Sequence, residues 1–430
     1  MSDDPHFVDS TRSGGTSRTL RMYGRRDSRD AYALRDYLTR SVVSYEWTEI
    51  ETDLACYALT GQSLHDAALP IVDLPNGSRL VQPTPAEVAA RLGWVMRPQH
   101  REYDLSIYGA GPAGLSAAVY AASEGLKVVL LEREAVGGQA GYSSLIENYL
   151  GFPDGIRGSD LAERARQQAI AFGAELLLMR GGTHGEFQGD RMIATLNDGT
   201  TMISHSNICA TGVEWRRLGV AREDELLGLG VFYGAGTSEA AHCSGEDVIV
   251  VGGGNSAGQA VLNLSAQARS VTMVVRGADL SATLSSYLVS RIKNRTNVRL
   301  ALNSSVTELL GDASLESVAT IDSHTGERGL LKARKLFVCI GGAPNTDWAR
   351  DTSIERDHLG YLVTGPDLSR AHLRDHWPLE RAPFYLETSV PGSFAAGDVR
   401  RNSVKRVASG VGEGAMAVAF VHRFLSEHFV

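Results

Sequence analysis

The sequence predicts an α/β protein in which a small α/β unit precedes two larger ones, and three stretches predict it. From Arg18 to Val95, apolar strand-like runs and capped helical stretches alternate in the order β-α-β-α-β-β-α. From Asp104 to Glu132 an apolar run, Leu105 to Tyr108, stops at Gly109. A small-residue helix follows from Pro112 to Glu124, and Val128 to Leu131 resumes a strand. From Asp247 to Arg276 the same succession of strand, glycine turn, helix and strand recurs.

The 430 residues suffice for about three domains with separate cores. Hydrophobic residues at 43% and charged residues at 21% describe an ordinary globular chain. A net charge of -8 argues against a nucleic-acid or anionic-membrane surface, since both attract Lys and Arg clusters. No apolar run approaches a membrane span, and MSDDPHFVDS is too acidic for a secretory signal, so a cytoplasmic protein is expected. Cys56, Cys209, Cys243 and Cys339 show neither a C-x-x-C nor metal-ligand spacing; isolated reduced thiols and no metal site are expected.

In chain order, residues 1–17 read as a polar flexible tail. The unit at 18–95 has strands at Thr19 to Tyr23 and Val43 to Ile50 and helices at Ser28 to Thr39 and Leu54 to Thr60. A hairpin, LPIVDLPNGSRLV from Leu69, and a capped helix, PTPAEVAARLG, complete it. Residues 96–103 are a charged linker.

In the next unit Gly109, Gly111 and Gly114 occupy the G-x-G-x-x-G positions around Pro112 and Ala113. They give a tight turn, a bare backbone that a pyrophosphate can approach, and close helix-to-strand packing. The helix N-terminus supplies NH groups to phosphates, and Glu132 stands where a carboxylate accepts bonds from ribose hydroxyls. This is a Rossmann-like dinucleotide site. Gly137 and Gly138 then make a tight turn, Ser159 or Asp160 is placed to cap a helix, and Met192 to Ile208 reads as strands leading to Ala210-Thr211-Gly212.

The second Rossmann-like unit offers Gly252, Gly254, Asn255, Ser256 and Ala257 as G-x-G-x-x-A. Its second strand ends at Arg276, where the first unit has an acid. A guanidinium there can pair with a 2′-phosphate, which favours NADPH, with NADH possible. Two nucleotide sites in one chain suggest transfer between two cofactors.

From Asp104 onward the chain resembles the low-molecular-weight thioredoxin reductase family of flavoproteins. The matching landmarks are GAGPAG with Glu132, GGQ at Gly137 to Gln139, IENYLGFP from Ile146, ATG from Ala210, GGGNSA from Gly252, IGGAPNT from Ile340 and FAAGD ending at Asp398. The resemblance implies FAD in the first unit and NADPH in the second, with the NAD(P)H-binding domain (218–338) inserted between FAD-binding parts 104–217 and 339–430. It further implies that Gly397 and Asp398 meet the ribityl chain, that Gln139 and Asn148 make polar contacts to FAD, and that Lys405, Arg406 and Val407 lie against the isoalloxazine. A homodimer is also implied.

Residues 18–95 resemble a thioredoxin-like domain of the glutaredoxin type, with Pro70 where a cis-proline stands. Ser28-Arg29-Asp30-Ala31 replaces the redox C-x-x-C. The dithiol that the reductase family carries in its NADPH domain is missing too. Gly234 and Thr237 stand about where its cysteines belong, Cys243 is a lone nearby sulfur expected to be a partly buried spectator, and Glu239, near the family's acid position, is expected on a solvated helix face.

The expected function is hydride transfer from NADPH to FAD, with electrons leaving to an external acceptor: dioxygen, a quinone, a disulfide or a redox protein. Catalytic side chains are not assigned. Disulfide reduction with a partner's thiols is one alternative, and an FAD-binding sensor or scaffold with a docking module is another. His372 and His376, four apart in an inserted loop, are expected at the surface without a metal, and His428-Phe429 at a frayed end.

Overall fold

A computed structural model describes residues 19–94, 97–188, 191–234 and 238–428. The first unit runs β1 (Leu20–Gly24), α1 (Arg29–Arg40), β2 (Tyr45–Glu49), α2 (Asp53–Thr60), β3 (Ile71–Asp73), β4 (Arg79–Val81) and α3 (Pro85–Arg91). Its sheet has the order β2-β1-β3-β4, with β1 parallel to β2 and the other pairs antiparallel. Ser28 caps α1 by accepting from the Ala31 NH, and Thr84 with Glu87 forms a capping box on α3. The Leu69-Pro70 peptide is cis.

The next strands are β5 (Glu102–Tyr108), then α4 (Pro112–Ser123), β6 (Val128–Glu132), α5 (Gly158–Ala171), β7 (Glu175–Leu178), β8 (Gly182–Gln188), β9 (Arg191–Leu196) and β10 (Thr201–Cys209). They form one sheet in the order β7-β6-β5-β10-β9-β8. The helix cap expected at Ser159 or Asp160 lies elsewhere: α5 starts at Gly158, with both residues inside its first turn. The reason is contact, because a Cβ at Gly158 would run into the Ala140 carbonyl.

Then follow β11 (Val213–Trp215), β12 (Val231–Tyr233), β13 (Asp247–Val251), α6 (Asn255–Ser265), β14 (Ser270–Val274), α7 (Ser286–Lys293), β15 (Val298–Ala301), β16 (Ser304–Leu310), β17 (Ser317–Asp322), β18 (Arg328–Lys332) and β19 (Lys335–Val338). A five-stranded parallel sheet, β12-β19-β13-β14-β15, is flanked by the antiparallel β16-β17-β18. Its central strands are buried, as parallel sheets require.

The chain then returns. β20 (Gly342–Pro344) pairs with β11, the segment expected as an inserted loop carries a short helix, α8 (Arg370–His376), and β21 (Ser393–Ala395) joins β10. α9 (Val407–His428) packs along α4, and their shared core holds Ala113, Ala117, Val418 and Val421. Two chain crossings, paired as the β11-β20 ribbon, thus connect the two large sheets. No helix among the described residues is long and apolar enough to cross a membrane.

Candidate functional site: two nucleotide cradles

The first cradle forms where α4 and α9 begin. At Gly109, φ is +102°, and a Cβ would sit 2.5 Å from the Ala210 carbonyl oxygen, so only glycine allows β5 to turn there. Gly114 presses on the Gly109 carbonyl, which closes the helix onto the strand. Gly111, the residue before α4, has nothing within 4 Å of where its Cβ would be, so the backbone ahead of Pro112 faces open space. Buried Ala113 is the hub: Gly397 at φ +80° would place a Cβ 2.9 Å from its Cβ, and Gly410 and Gly414 of α9 pass over it. Gly138, at φ +52°, closes the other side, where a Cβ would lie 3.2 Å from the Gly111 Cα.

Glu132 is buried, and its two carboxylate oxygens accept from the Ala110 and Glu134 NH groups, each at 2.8 Å. Burial pushes its carboxyl above the usual range, against the pull of those two bonds. Glu413 holds the Gly397 turn by accepting from its NH at 2.7 Å, and Arg400 braces Glu413 at 2.8 Å. Asp398 beside it is raised by burial, an effect opposed by Lys405, whose ammonium donates to the Tyr361 hydroxyl at 2.7 Å. Arg406 is exposed, Val407 opens α9, Gln139 donates to the Val213 carbonyl at 3.0 Å, and Asn148 lies exposed on its loop. A pair of helix N-termini around bare glycines, with carboxylates on two sides, fits a dinucleotide with its phosphates on the helix ends.

The second cradle repeats the first turn. Gly252 has φ +144°, and a Cβ there would strike the Cys339 carbonyl; buried Ala257 packs behind it. Gly254 faces open space before α6. Asn255 exchanges two bonds with Ser285, accepting from its NH at 2.8 Å and donating to its hydroxyl at 3.0 Å, while Thr283 donates to the Gly253 carbonyl. Ser256 and Arg276 are exposed. These residues fit a nucleotide that enters from solvent.

The cradles are brought toward each other. Arg291 of α7 pairs with Glu147, next to Asn148, at 2.7 Å. Tyr287, two residues beyond Ser285, has its hydroxyl raised first by burial and then by the Glu147 charge, while a Gln259 hydrogen bond and the charges of Arg291 and Arg406 lower it.

In the stretch expected to lack a dithiol, Thr237 lies outside the described residues, and Gly234 at φ +83° lies so close to the Trp215 ring that a Cβ would sit 2.9 Å from it, while Tyr142 meets Trp215 edge-on at 5.4 Å. Cys243 is fully buried rather than partly so, its thiol pushed up to about 11 by burial. Glu239 departs further from expectation. It is 1% exposed and pairs with Arg35 of α1 at 3.0 Å, with Lys335 at 3.7 Å, so it is a buried ion-paired group and not a solvated one. All four cysteines are buried and free. His428 stacks on Phe424, Phe429 is outside the described residues, and no group of His, Cys, Asp and Glu able to hold a metal occurs among the described residues.

The residues missed from sequence are those that act across the fold: Glu413 with Arg400, and Tyr142 with Trp215. Gly410 and Gly414, four apart on one helix face, were the available signal for a close helix crossing.

The sequence pattern of the family described as pyridine nucleotide-disulphide oxidoreductase matches residues 103–414. A thioredoxin reductase of Treponema pallidum is 35% identical over 316 residues, 74% of this chain and 95% of that protein. Among solved structures, Lactococcus lactis thioredoxin reductase in its FR conformation has a TM-score of 0.68 at 30% identity, covering 76% of this chain and 99% of that one. T. acidophilum thioredoxin reductase has 0.67 at 32%, covering 75% and 99%. With the two cradles and these likenesses together, this chain belongs to the pyridine nucleotide-disulphide oxidoreductase family, as an oxidoreductase and flavoprotein built on the Rossmann-type α/β plan of the thioredoxin reductases.

Proposed function

We propose that the protein is an NAD(P)H-dependent FAD oxidoreductase that delivers electrons to an external acceptor, a small molecule or a redox protein, without a dithiol of its own. The carrying observation is the ion pair at 2.7 Å between Arg291 of α7, in the unit of the second cradle, and Glu147, which adjoins Asn148 of the first. Bound FAD would supply two-electron redox chemistry at one cradle, and NADPH, or NADH, would supply hydride at the other.

The chain's own residues bind and orient. Gly109, Gly111, Pro112, Ala113 and Gly114 offer the α4 N-terminus to a pyrophosphate, and Glu132 takes the ribose. Gly138, Gln139, Asn148, Ala210, Gly397, Asp398, Lys405, Arg406 and Val407 complete that cradle. Gly252, Gly254, Asn255, Ser256 and Ala257 serve the second nucleotide, with Arg276 pairing its 2′-phosphate. The domain limits follow: 104–217 and 339–430 for FAD, 218–338 for NAD(P)H, and 18–95 as a thioredoxin-like module, a reading supported by its strand order and the cis Leu69-Pro70 peptide. Burial of all four thiols supports an acceptor outside the chain. A cytoplasmic homodimer belongs to the same reading.

Anaerobic stopped-flow mixing of the FAD-loaded protein with NADPH and with NADH tests it. Bleaching of the flavin absorbance within the first turnover is expected, and flavin that stays yellow with both nucleotides would sink the proposal.

A further inference from the structure

Helix α1 of the N-terminal module touches both nucleotide-binding domains. Its 12 residues span about 18 Å. At its start, Gly228 of the second domain approaches so closely that a Cβ there would lie 3.0 Å from the Tyr32 ring and 3.2 Å from the Arg29 Cα. Tyr32 packs edge-on against Phe232 at 5.0 Å and lies against the second domain's core. Arg26 donates to the His242 carbonyl. In mid-helix, Arg35 binds Glu239 through Nε and Nη2 at 3.2 and 3.0 Å and rests on Trp47 at 4.6 Å.

At its far end the helix meets the first domain. Arg40, fixed by Asp36 at 2.8 Å, reaches Glu134 at 3.6 Å and covers the Tyr142 ring at 4.4 Å. Ala135 and Met179 of that domain belong to the module's own core. Arg35 and Glu239 lose water on docking and meet as ion partners only in this geometry, so a displaced module would leave Arg35 without its carboxylate and Glu239 with Lys335 alone, at 3.7 Å.

The two large sheets are connected by only two chain crossings, and the α1 contacts straddle their joint. Hydride transfer requires direct contact between donor and acceptor, so its rate follows the relative orientation of the cradles. We propose that the N-terminal module is an intramolecular clamp: α1 bolts to the second domain through Arg35 and Glu239, bolts to the first through Arg40, Glu134 and Tyr142, and so holds the two cradles face to face. Arg35 and Arg40 are then positioning residues for hydride transfer, touching neither nucleotide. This rests on the proposed function for its kinetic consequence but not for its geometry.

The test compares full-length Arg40→Ala, the neutral pair Arg35→Met with Glu239→Gln, and their combination, all loaded with FAD. Amide hydrogen exchange without nucleotide is expected to rise at least tenfold in α1 and in residues 228–233 of the combined variant. At saturating NADPH its flavin is reduced at least tenfold more slowly, with half-saturation by NADPH within twofold of wild type, because the second cradle itself is untouched. Arg40→Lys recovers most of the rate lost in Arg40→Ala. Unchanged exchange in the combined variant would overturn the clamp, and so would raised exchange with an unchanged rate of flavin reduction. If wild-type flavin is reduced by neither nucleotide, the proposed function fails, and the clamp stands or falls on the exchange result alone.

Discussion

The two cradles begin with the same turn and finish differently. In the first, Glu132 is buried beneath backbone NH groups, and the distant segments at Gly397 and α9 close over α4. In the second, Arg276, two residues past the end of β14, is exposed, although the glycine ahead of each helix, Gly111 or Gly254, faces open space alike. Shared local chemistry with unequal enclosure teaches that the first suits a ligand that stays and the second a ligand that exchanges.

The largest expected effect breaks the enclosure. Gly414→Val drives side-chain atoms into the Ala113 backbone, where α9 crosses α4, and overpacking of this kind costs about 1–3 kcal/mol even where neighbours can yield. The purified variant is expected to carry no FAD. A full complement of flavin absorbance per chain after desalting would show that α9 does not seal the first cradle. Next, Glu132→Ala strands the Ala110 and Glu134 NH groups at about 1–3 kcal/mol each, while Glu132→Gln keeps an acceptor. Denaturant midpoints of the FAD-free proteins should fall in the order wild type, Gln, Ala, and equal midpoints for all three would remove the carboxylate from the enclosed side of the comparison.

The open cradle gives a selective effect. Arg276→Ala is expected to raise half-saturation by NADPH about tenfold, the worth of one charged hydrogen bond, and to leave NADH unchanged. Equal losses for both nucleotides would deny Arg276 its discrimination.

The smallest effect concerns the thiols. Burial lifts Cys243 to about 11 and Cys209 and Cys339 to about 12, so each keeps its proton in the folded state at pH values where the unfolded chain has lost it. Their stabilising contribution is complete below about pH 9 and declines as pH rises toward 11 and 12. A Cys243→Ser protein should accordingly reduce its flavin within twofold of the wild-type rate, and iodoacetamide at pH 8 should label none of these three thiols before denaturant is added.

Sequence exposed what is local and hid what is assembled. Both βαβ units, from Gly109 to Glu132 and from Gly252 to Arg276, were legible because a turn, a helix start and a strand end recur at fixed offsets. The small unit's succession of strands and helices and the capped start of α3 were readable for the same reason. The α5 start at Gly158 was not, because it is decided by the Ala140 carbonyl and not by a capping side chain. Glu239 looked like a surface acid, since nothing near it in sequence carries its partner; Arg35 lies 204 positions away. A helical carboxylate among polar neighbours reads as solvated until another domain is set against it.

The crossing of α9 over α4 also bears on how the chain acquires its shape on the ribosome. β10 pairs with β21 across about 190 residues, and Ala113 meets Gly414 across about three hundred. The sheet from β12 to β19 is assembled entirely from the intervening stretch. The domain that starts later can therefore complete its core first, while β5 to β10 wait with an apolar α4 face uncovered until the final helix emerges. That interval is when this protein is most exposed to aggregation.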